Sequence, residues 1–452
     1  RFQRGARPRG ISEKAFAVRL IRALRLECTM GSMLYLSVGR LEIDWGKNFG
    51  FHDYSALFQG ETDVVNVPYY YAGSEIGIDS EGNPVWEPIV KFKEGLSKPL
   101  AEVTERLNLL GNTYAQCERE FVFLSRIHDF DPDYFCFEEL SDALAHVDVN
   151  AISIDYGEGG ENFGKFFRRE LAPRLNLQKR LEDNPWQYSA FSEAMENLSA
   201  FSILQLLARN PSARDLPVQW SFKDIDVGGY ARREDFVRPL AHSDRFLVVT
   251  EGSSDAAIIR HALKILRPHV ADFFHFVDME EGYPFSGTGN VFRFVQGLVS
   301  ISVQNKVLVL FDNDAEGVTN YERCQDLNLL QNMRILKLPD LPVFNTFPTI
   351  GPTGIHEADI NGCAAAIECY LDLDEGARVR WTSHNAKTDI WQGELEGKTR
   401  YARRFLKQRK YEPSYDYSRL NAVLDTIINS GTEIRELEVA KEWERAIEDE
   451  AR

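Results

Sequence analysis

Phe246-Leu247-Val248-Val249-Thr250-Glu251-Gly252-Ser253-Ser254-Asp255 and Lys306-Val307-Leu308-Val309-Leu310-Phe311-Asp312-Asn313-Asp314 are two short apolar runs that each stop at a carboxylate. Runs of this length, rich in Val, Leu and Phe and lacking alternation, read as strands buried on both faces. Parallel sheets gather their chemistry in the crevice beyond the carboxyl ends of the strands. Glu251, Asp312 and Asp314 are therefore expected to project into one place. Gly252 permits a sharp turn after the first acid, and Asp255, in the first turn of the following helix, is expected to point back into the same crevice.

Around these runs the pattern is β/α. Phe273–Val277 and Arg334–Leu338 read as further strands. Ser254–Leu266, Asn290–Val303 and about 317–327 read as the intervening helices, which predicts a parallel sheet with helices on both faces. Upstream, residues 33–210 read as a mixed α+β domain. It begins with a strand over Leu34–Ile43 and an aromatic extended segment over Val64–Tyr71, followed by a turn at Asp79–Pro84. Ile89, Phe92, Leu96, Leu100, Val103, Leu107 and Leu110 have helical spacing, and a second helix is expected over Tyr114–Ile127. Residues 211–243, polar and punctuated by Pro and Gly, read as a linker, and 244–400 as the catalytic domain with an extension. That extension holds a loop with four prolines, then His356–Gly362 and a helix ending near Leu371. Residues 401–452 read as C-terminal helices. Residues 1–32 read as a basic, disordered extension: the first 29 hold seven Arg and one Lys against Glu13 and Glu27, and the ordered chain is expected to start near Met33.

Composition narrows the class. A chain of 452 residues exceeds one ordinary core. Six scattered cysteines without a C-x-x-C pair argue against a disulfide scaffold or structural zinc and for a reducing cytoplasm. No apolar run is long enough for a membrane span. A formal net charge of −17 argues against general nucleic-acid binding by bulk electrostatics, though a local basic patch can still hold phosphate. There is no G-x-x-x-x-G-K-[ST], so no ATP site of that kind is expected. His128–Asp129 reads as a surface dipeptide, and the R-x4–6-H spacing of Arg378 and His384 as accidental.

Two carboxylates separated by one residue at one strand end, with a Glu at another, suit a hard oxygen-seeking cation. Glu251-Gly252-Ser253-Ser254-Asp255 with Asp312-Asn313-Asp314 resembles the two signatures of the Toprim domain, over about residues 244–340. The resemblance implies a Toprim fold, Glu251 as general acid or base and metal ligand, and Asp312 and Asp314 as ligands of Mg²⁺ or Mn²⁺. Nucleases of the OLD family, which share this domain, carry a further acidic segment and then a Lys. Here these would be Glu357 and Asp359, with Glu368 a further candidate, and Lys398 as a catalytic cation beside the metals. The segment from Met33 through Asn48 is similar to a module placed ahead of Toprim or HEPN effector domains in bacterial conflict systems. Lys398–Lys410 has seven basic residues and no acid. On a helix Arg400, Arg403 or Arg404, and Lys407 would share a face and could track a phosphate backbone. Ser286–Asn290 could meet a phosphate at a helix start.

The resulting expectation is a Mg²⁺-dependent nuclease acting on DNA or RNA as a defence effector, with a sensor or regulatory protein as partner and the oligomeric state open. The alternative is a non-catalytic module that binds nucleic acid or a protein.

Overall fold

In a computed structural model, residues 31–78, 84–149, 163–277, 288–385 and 390–450 are described. The basic extension up to residue 30, most of the Asp79–Pro84 turn and the first two residues of the Ser286–Asn290 loop lie outside the described residues, and the last three of that loop open a helix. The chain forms two compact units, Leu240–Arg435 and a unit made of residues up to Pro239 together with those from Glu436 onward. Among the described residues no helix is long and apolar enough to cross a membrane.

The first unit is built on a five-stranded antiparallel sheet. Its order is β2 (Leu41–Lys47), β1 (Met33–Val38), β5 (Pro217–Ser221), β4 (Pro84–Pro99) and β3 (Val64–Ile78). β1 alternates between half-buried and buried positions, placing Leu34, Leu36 and Val38 in the core. Trp220 pairs with Leu36 on one side and Leu96 on the other, so three fully buried side chains cross the sheet in a line. Numbering helices of two turns or more, α1 (Leu100–Leu109), α2 (Tyr114–Ile127), α3 (Phe137–Ala145), α4 (Pro185–Glu196) and α5 (Ala200–Leu207) complete the unit.

Two sequence expectations change here. The stretch 211–243 is not a linker, because it supplies β5, an inner strand. Polar flanks hide a five-residue run whose partners, β1 and β4, lie far away in the sequence. The helical period from Ile89 begins as a strand: β4 pairs with β3 along its length and the helix starts only after Pro99. Ile89, Phe92 and Leu96 mimic helical spacing by coincidence, and cross-strand pairing overrides it.

The second unit holds a four-stranded parallel sheet. Its order is β10 (Met333–Lys337), β8 (Lys306–Phe311), β6 (Phe246–Thr250) and β7 (Phe274–Phe276). Helices α6 (Ser253–Leu266), α7 (Thr288–Ser300) and α8 (Ala315–Gln325) connect the strands. Val249, Val307, Val309, Phe311, Met333 and Ile335 form one core with Val291, Val295 and Leu298 of α7 and Cys324 of α8. Their alternates Val248, Leu308 and Leu310 are buried on the other face, and α6 packs against β6. This explains apolar runs without alternation: both faces of the sheet are covered.

Beyond this sheet the structure departs from the expected helix ending near Leu371. Residues 347–395 form a second sheet, ordered β12 (Gly354–Ala358), β11 (Phe347–Gly351), β14 (Val379–Asn385) and β15 (Ile390–Leu395). Pro348 is tolerated because β11 meets β14 only at Thr349 and Ile350. Ile367–Tyr370 is a single 3₁₀ turn. Helices α9 (Lys398–Leu406) and α10 (Ser418–Glu450) follow, as expected of the tail. The tail does not stand apart as a domain, since residues up to Arg435 group with the second unit. Arg378 immediately precedes β14 and His384 lies on it, in a sheet rather than a helical bundle.

Candidate metal and phosphate site

Asp312-Asn313-Asp314 works as a strand end because successive side chains point opposite ways. Asn313 turns inward and is fully buried. Its amide donates to Asp340 at 2.8 Å, and its carbonyl accepts from the Gly362 N–H at 2.9 Å. The two flanking acids therefore face the other side. Asp314 caps α8, accepting from the Gly317 N–H at 2.7 Å. Asp312 Oδ1 accepts from the Ile367 N–H at 3.1 Å. Glu251, at the end of β6, accepts from the Asp312 N–H at 3.0 Å, which ties the two strand ends together. Asp255 folds back to accept from the Gly252 N–H at 2.9 Å.

Backbone amides thus hold all four acids. Gly317 is required by this packing. A Cβ there would stand 2.3 Å from the Asp312 carbonyl oxygen and 2.9 Å from Glu251 Oε1.

A fifth acid arrives by a route the sequence does not display. A short strand, β13 (Ala364–Ala365), pairs antiparallel with β9 (Asn313–Asp314), matching Ala364 to Asp314 and Ala365 to Asn313. The turn that follows carries Glu368, buried, with its Oε1 3.3 Å from the donating Ser254 hydroxyl. Glu357 and Asp359, the acids favoured by the family pattern, are instead exposed on and just after β12 and do not line the pocket. Register is the cause, because the β9–β13 pairing delivers residues 364–368 to the strand ends and leaves 354–359 outside.

These groups open onto a pocket of about 600 Å³. Asp255, Asp312, Asp314 and Glu368 line it, facing Lys398 and Arg403 of α9 and Thr382, Gln392, Gly393 and Glu394 of the β14–β15 hairpin. Glu251 stands behind Asp312 rather than on the pocket wall. Burial pushes Glu251 up to about 8, against the Asp312 N–H, with repulsion from Asp314, Asp255 and Glu316 adding to it. Burial and then Glu368 push Asp255 up to about 7, opposed by the Gly252 N–H and Lys398. Asp312 is held well above the usual carboxylate range, by burial first and then by Asp255, Glu251, Asp314 and Glu368. Asp314 is raised as well, chiefly by burial. The site concentrates acids whose repulsion the backbone N–H groups and Lys398 offset only in part, the condition a bound cation relieves.

The donor set fits Mg²⁺ or Mn²⁺, since it consists of carboxylate oxygens. Among the described residues no three His, Cys, Asp or Glu side chains already form a closed ligand group.

The basic residues divide. Lys398 reaches the pocket while pairing with Glu394 at 2.9 Å, and that hydrogen bond, more than any other influence, raises its pKa. Arg400 pairs with Asp374 at 2.6 Å, and Arg404 with Asp372 at 3.1 Å. Arg403 lines the pocket and has no ion pair among the described residues. Lys407 is exposed just past the last turn of α9. The single basic face expected over Arg400, Arg403, Arg404 and Lys407 is therefore broken, because acids of the 372–374 loop occupy two of its members.

Residues 30–244 match the family model of the HEPN/Toprim N-terminal domain 1, which supports a HEPN/Toprim-type protein and agrees with the similarity read from Met33–Asn48. The match ends just before β6, so the acidic site lies outside it. No curated protein and no solved structure matches the chain.

Proposed function

We propose that this protein is a divalent-cation-dependent nuclease of the Toprim type that hydrolyses DNA or RNA phosphodiester bonds, and that it serves as an anti-phage defence effector related to the OLD-type enzymes. The observation that carries the reading is the meeting of Asp255, Asp312, Asp314 and Glu368 with Lys398 and Arg403 around one pocket, with Glu251 bonded to the Asp312 N–H behind it. The family match over residues 30–244 adds support for a nucleic-acid-related role.

Asp312, Asp314, Asp255 and Glu251 would hold the cation, which supplies polarisation of a phosphoryl oxygen and an activated water. The remaining work belongs to the chain. Glu251, with its Oε1 fixed by the Asp312 N–H, can exchange a proton at Oε2 close to neutral pH. Lys398 offers its ammonium to the charge that develops on phosphorus. Arg403 offers a planar two-pronged donor to a non-bridging phosphate oxygen. The β14–β15 hairpin closes one side of the pocket and limits water there.

The test is incubation of the full chain with Mg²⁺ or Mn²⁺ and plasmid, single-stranded DNA or tRNA. Metal-dependent cutting of at least one, abolished by Asp312→Ala, is expected. Absence of cutting on all three, or cutting that survives the substitution, overturns the proposal. The open ligand arrangement favours a second reading, a module that binds nucleic acid or a partner protein without hydrolysis. Calorimetry separates the two, because the nuclease requires Mg²⁺ binding that depends on Asp312 and Asp314.

A further inference from the structure

The basic run over Lys398–Lys410 is only partly used by the acidic site. Lys398, Arg400 and Arg404 stand in ion pairs, and Arg403 lines the pocket. The last three cations, Lys407, Arg409 and Lys410, follow α9, are exposed, and have no ion pair among the described residues. Tyr411 comes directly after them and is 54% exposed.

The Tyr411 ring is the outer end of an aromatic column. From Phe405, fully buried on α9, the contacts run to Tyr415 (centroids 5.7 Å apart, 33°), then to Tyr417 (4.7 Å, 39°), then to Tyr411 (5.0 Å, 26°). Hydrogen bonds fix the turn that carries the last ring. The buried Tyr417 hydroxyl donates to Gln408 Oε1 at 2.9 Å and accepts from the Glu412 N–H at 3.1 Å. The chain on both sides of Tyr411 is therefore tied to the ring on which Tyr411 lies. Tyr417 is its one ring partner among the described residues. A ring sandwiched on both faces exposes only its rim, so an exposure of 54% leaves the face away from Tyr417 open to solvent. The acids of the same segment are Glu412, which is exposed, and Asp416, whose carboxylate accepts from the Ser418 N–H at 2.9 Å. Three cations thus stand against two acids here, in a chain whose net charge is −17.

We infer that Tyr411, with Lys407, Arg409 and Lys410, forms a binding site for an unpaired nucleic-acid strand, one base lying on the open face of Tyr411 and the neighbouring phosphates on the three cations. The inference rests on the nuclease reading for the class of polymer, and adds the form in which that polymer is held. In a duplex the base faces are covered by their neighbours, so only an unpaired or splayed nucleotide can extend the column by one more ring. Stacking on a fixed ring is tolerant of sequence, and cations beside the ring follow the backbone. The two contributions differ in their response to salt. The cations supply affinity that falls as salt rises, whereas the ring supplies affinity that does not depend on counterion release.

The test is fluorescence anisotropy of labelled oligo(dT), oligo(U) and a duplex of the same length, with the full chain in EDTA, so that no cleavage is needed. The single strands are expected to bind more tightly than the duplex. Tyr411→Ala should weaken single-strand binding roughly tenfold at an unchanged salt slope, and Tyr411→Phe should keep it within about threefold. The triple variant Lys407→Ala, Arg409→Ala, Lys410→Ala should lower the single-strand salt slope by about two. Duplex binding should not respond to Tyr411→Ala. If that variant lowers the melting temperature, Tyr411→Leu, which keeps an apolar cover over Tyr417 but has no ring, takes its place with the same expected loss. Tighter binding of oligo(dT) or of oligo(U) tells DNA from RNA, and either supports the site. Unchanged single-strand binding in the ring-less variants, an unchanged salt slope in the triple variant, no strand binding at all, or duplex binding equally sensitive to Tyr411 would overturn it. Failure of cleavage in Mg²⁺ with Tyr411-dependent binding intact would sink the nuclease reading alone. Cleavage with strand binding that ignores Tyr411 would sink this site alone.

Discussion

The acidic strand ends and the basic helix α9 are both dense runs of one charge, yet they fold differently. At the strand ends the backbone holds the charges: the N–H groups of Asp312, Gly252, Gly317 and Ile367 each bond a carboxylate, so that like charges are kept together despite repulsion. On α9 the neighbours dissolve the run, as Asp374 takes Arg400, Asp372 takes Arg404 and Glu394 takes Lys398. Clustering enforced by backbone geometry against electrostatics marks a site, whereas clustering on an exposed helix is a supply of ion pairs from which the fold leaves only a member or two for function.

The contrast can be broken most sharply at Asp312. Asp312→Ala should reduce metal-dependent cleavage by at least about a hundredfold, because it removes charge at the centre of the site. A kinetic assay of the purified variant checks this, and residual activity near wild type would mean that the acids are not a working set.

Gly317→Ala tests whether backbone geometry enforces the cluster. The added methyl meets the Asp312 carbonyl, a main-chain atom that cannot swing aside. A destabilisation of about 1–3 kcal/mol by urea denaturation is expected, together with loss of activity, since Asp312 and Glu251 must shift. A neutral result would show that the strand ends are loosely held.

The repulsion itself is visible in pH dependence. Glu251 at about 8 and Asp255 at about 7 lie above their ordinary values, so the folded, metal-free protein holds protons that the unfolded chain has released. The stability they contribute is full below about pH 4 and is lost as pH rises through 7 and 8. Metal-free melting temperatures should therefore fall from pH 6 to pH 8.5 through this effect, and Mg²⁺ should restore more at the higher pH. A Mg²⁺ effect that does not grow with pH would contradict the assignment.

The smallest expected effects separate the members of the basic run. Arg403→Ala should weaken nucleic-acid binding and lower the salt slope by about one, with stability unchanged. Arg400→Ala and Arg404→Ala should leave binding nearly unchanged and cost about 1 kcal/mol of stability or less, as exposed ion pairs do. Salt titrations of all three variants distinguish these outcomes, and equal slopes would restore the unbroken basic face.

The apolar runs into Glu251 and Asp312 were legible because a parallel strand buried on both faces leaves a compositional trace that needs no partner to be seen. The turn after Glu251, the Asp-x-Asp alternation and the starts of α6 and α8 are likewise set by local geometry: strand period, glycine and capping. Lys398 was named only through the resemblance to the OLD-type pattern, which places a Lys after the acidic segments. Glu368 was not favoured over Glu357 and Asp359, because nothing local distinguishes three acids in an irregular stretch. β5 was missed for the same reason, as its neighbours in the sheet are remote in sequence.

What the sequence alone determined is therefore the parallel sheet and the acids at its strand ends, since both follow from chain-local rules of period and termination. Which acid completes the pocket and which arginine is left to face it were decided only by the tertiary structure. The β9–β13 register, the 372–374 loop and the β14–β15 hairpin are long-range pairings, and their partners leave no mark on one another in the linear chain.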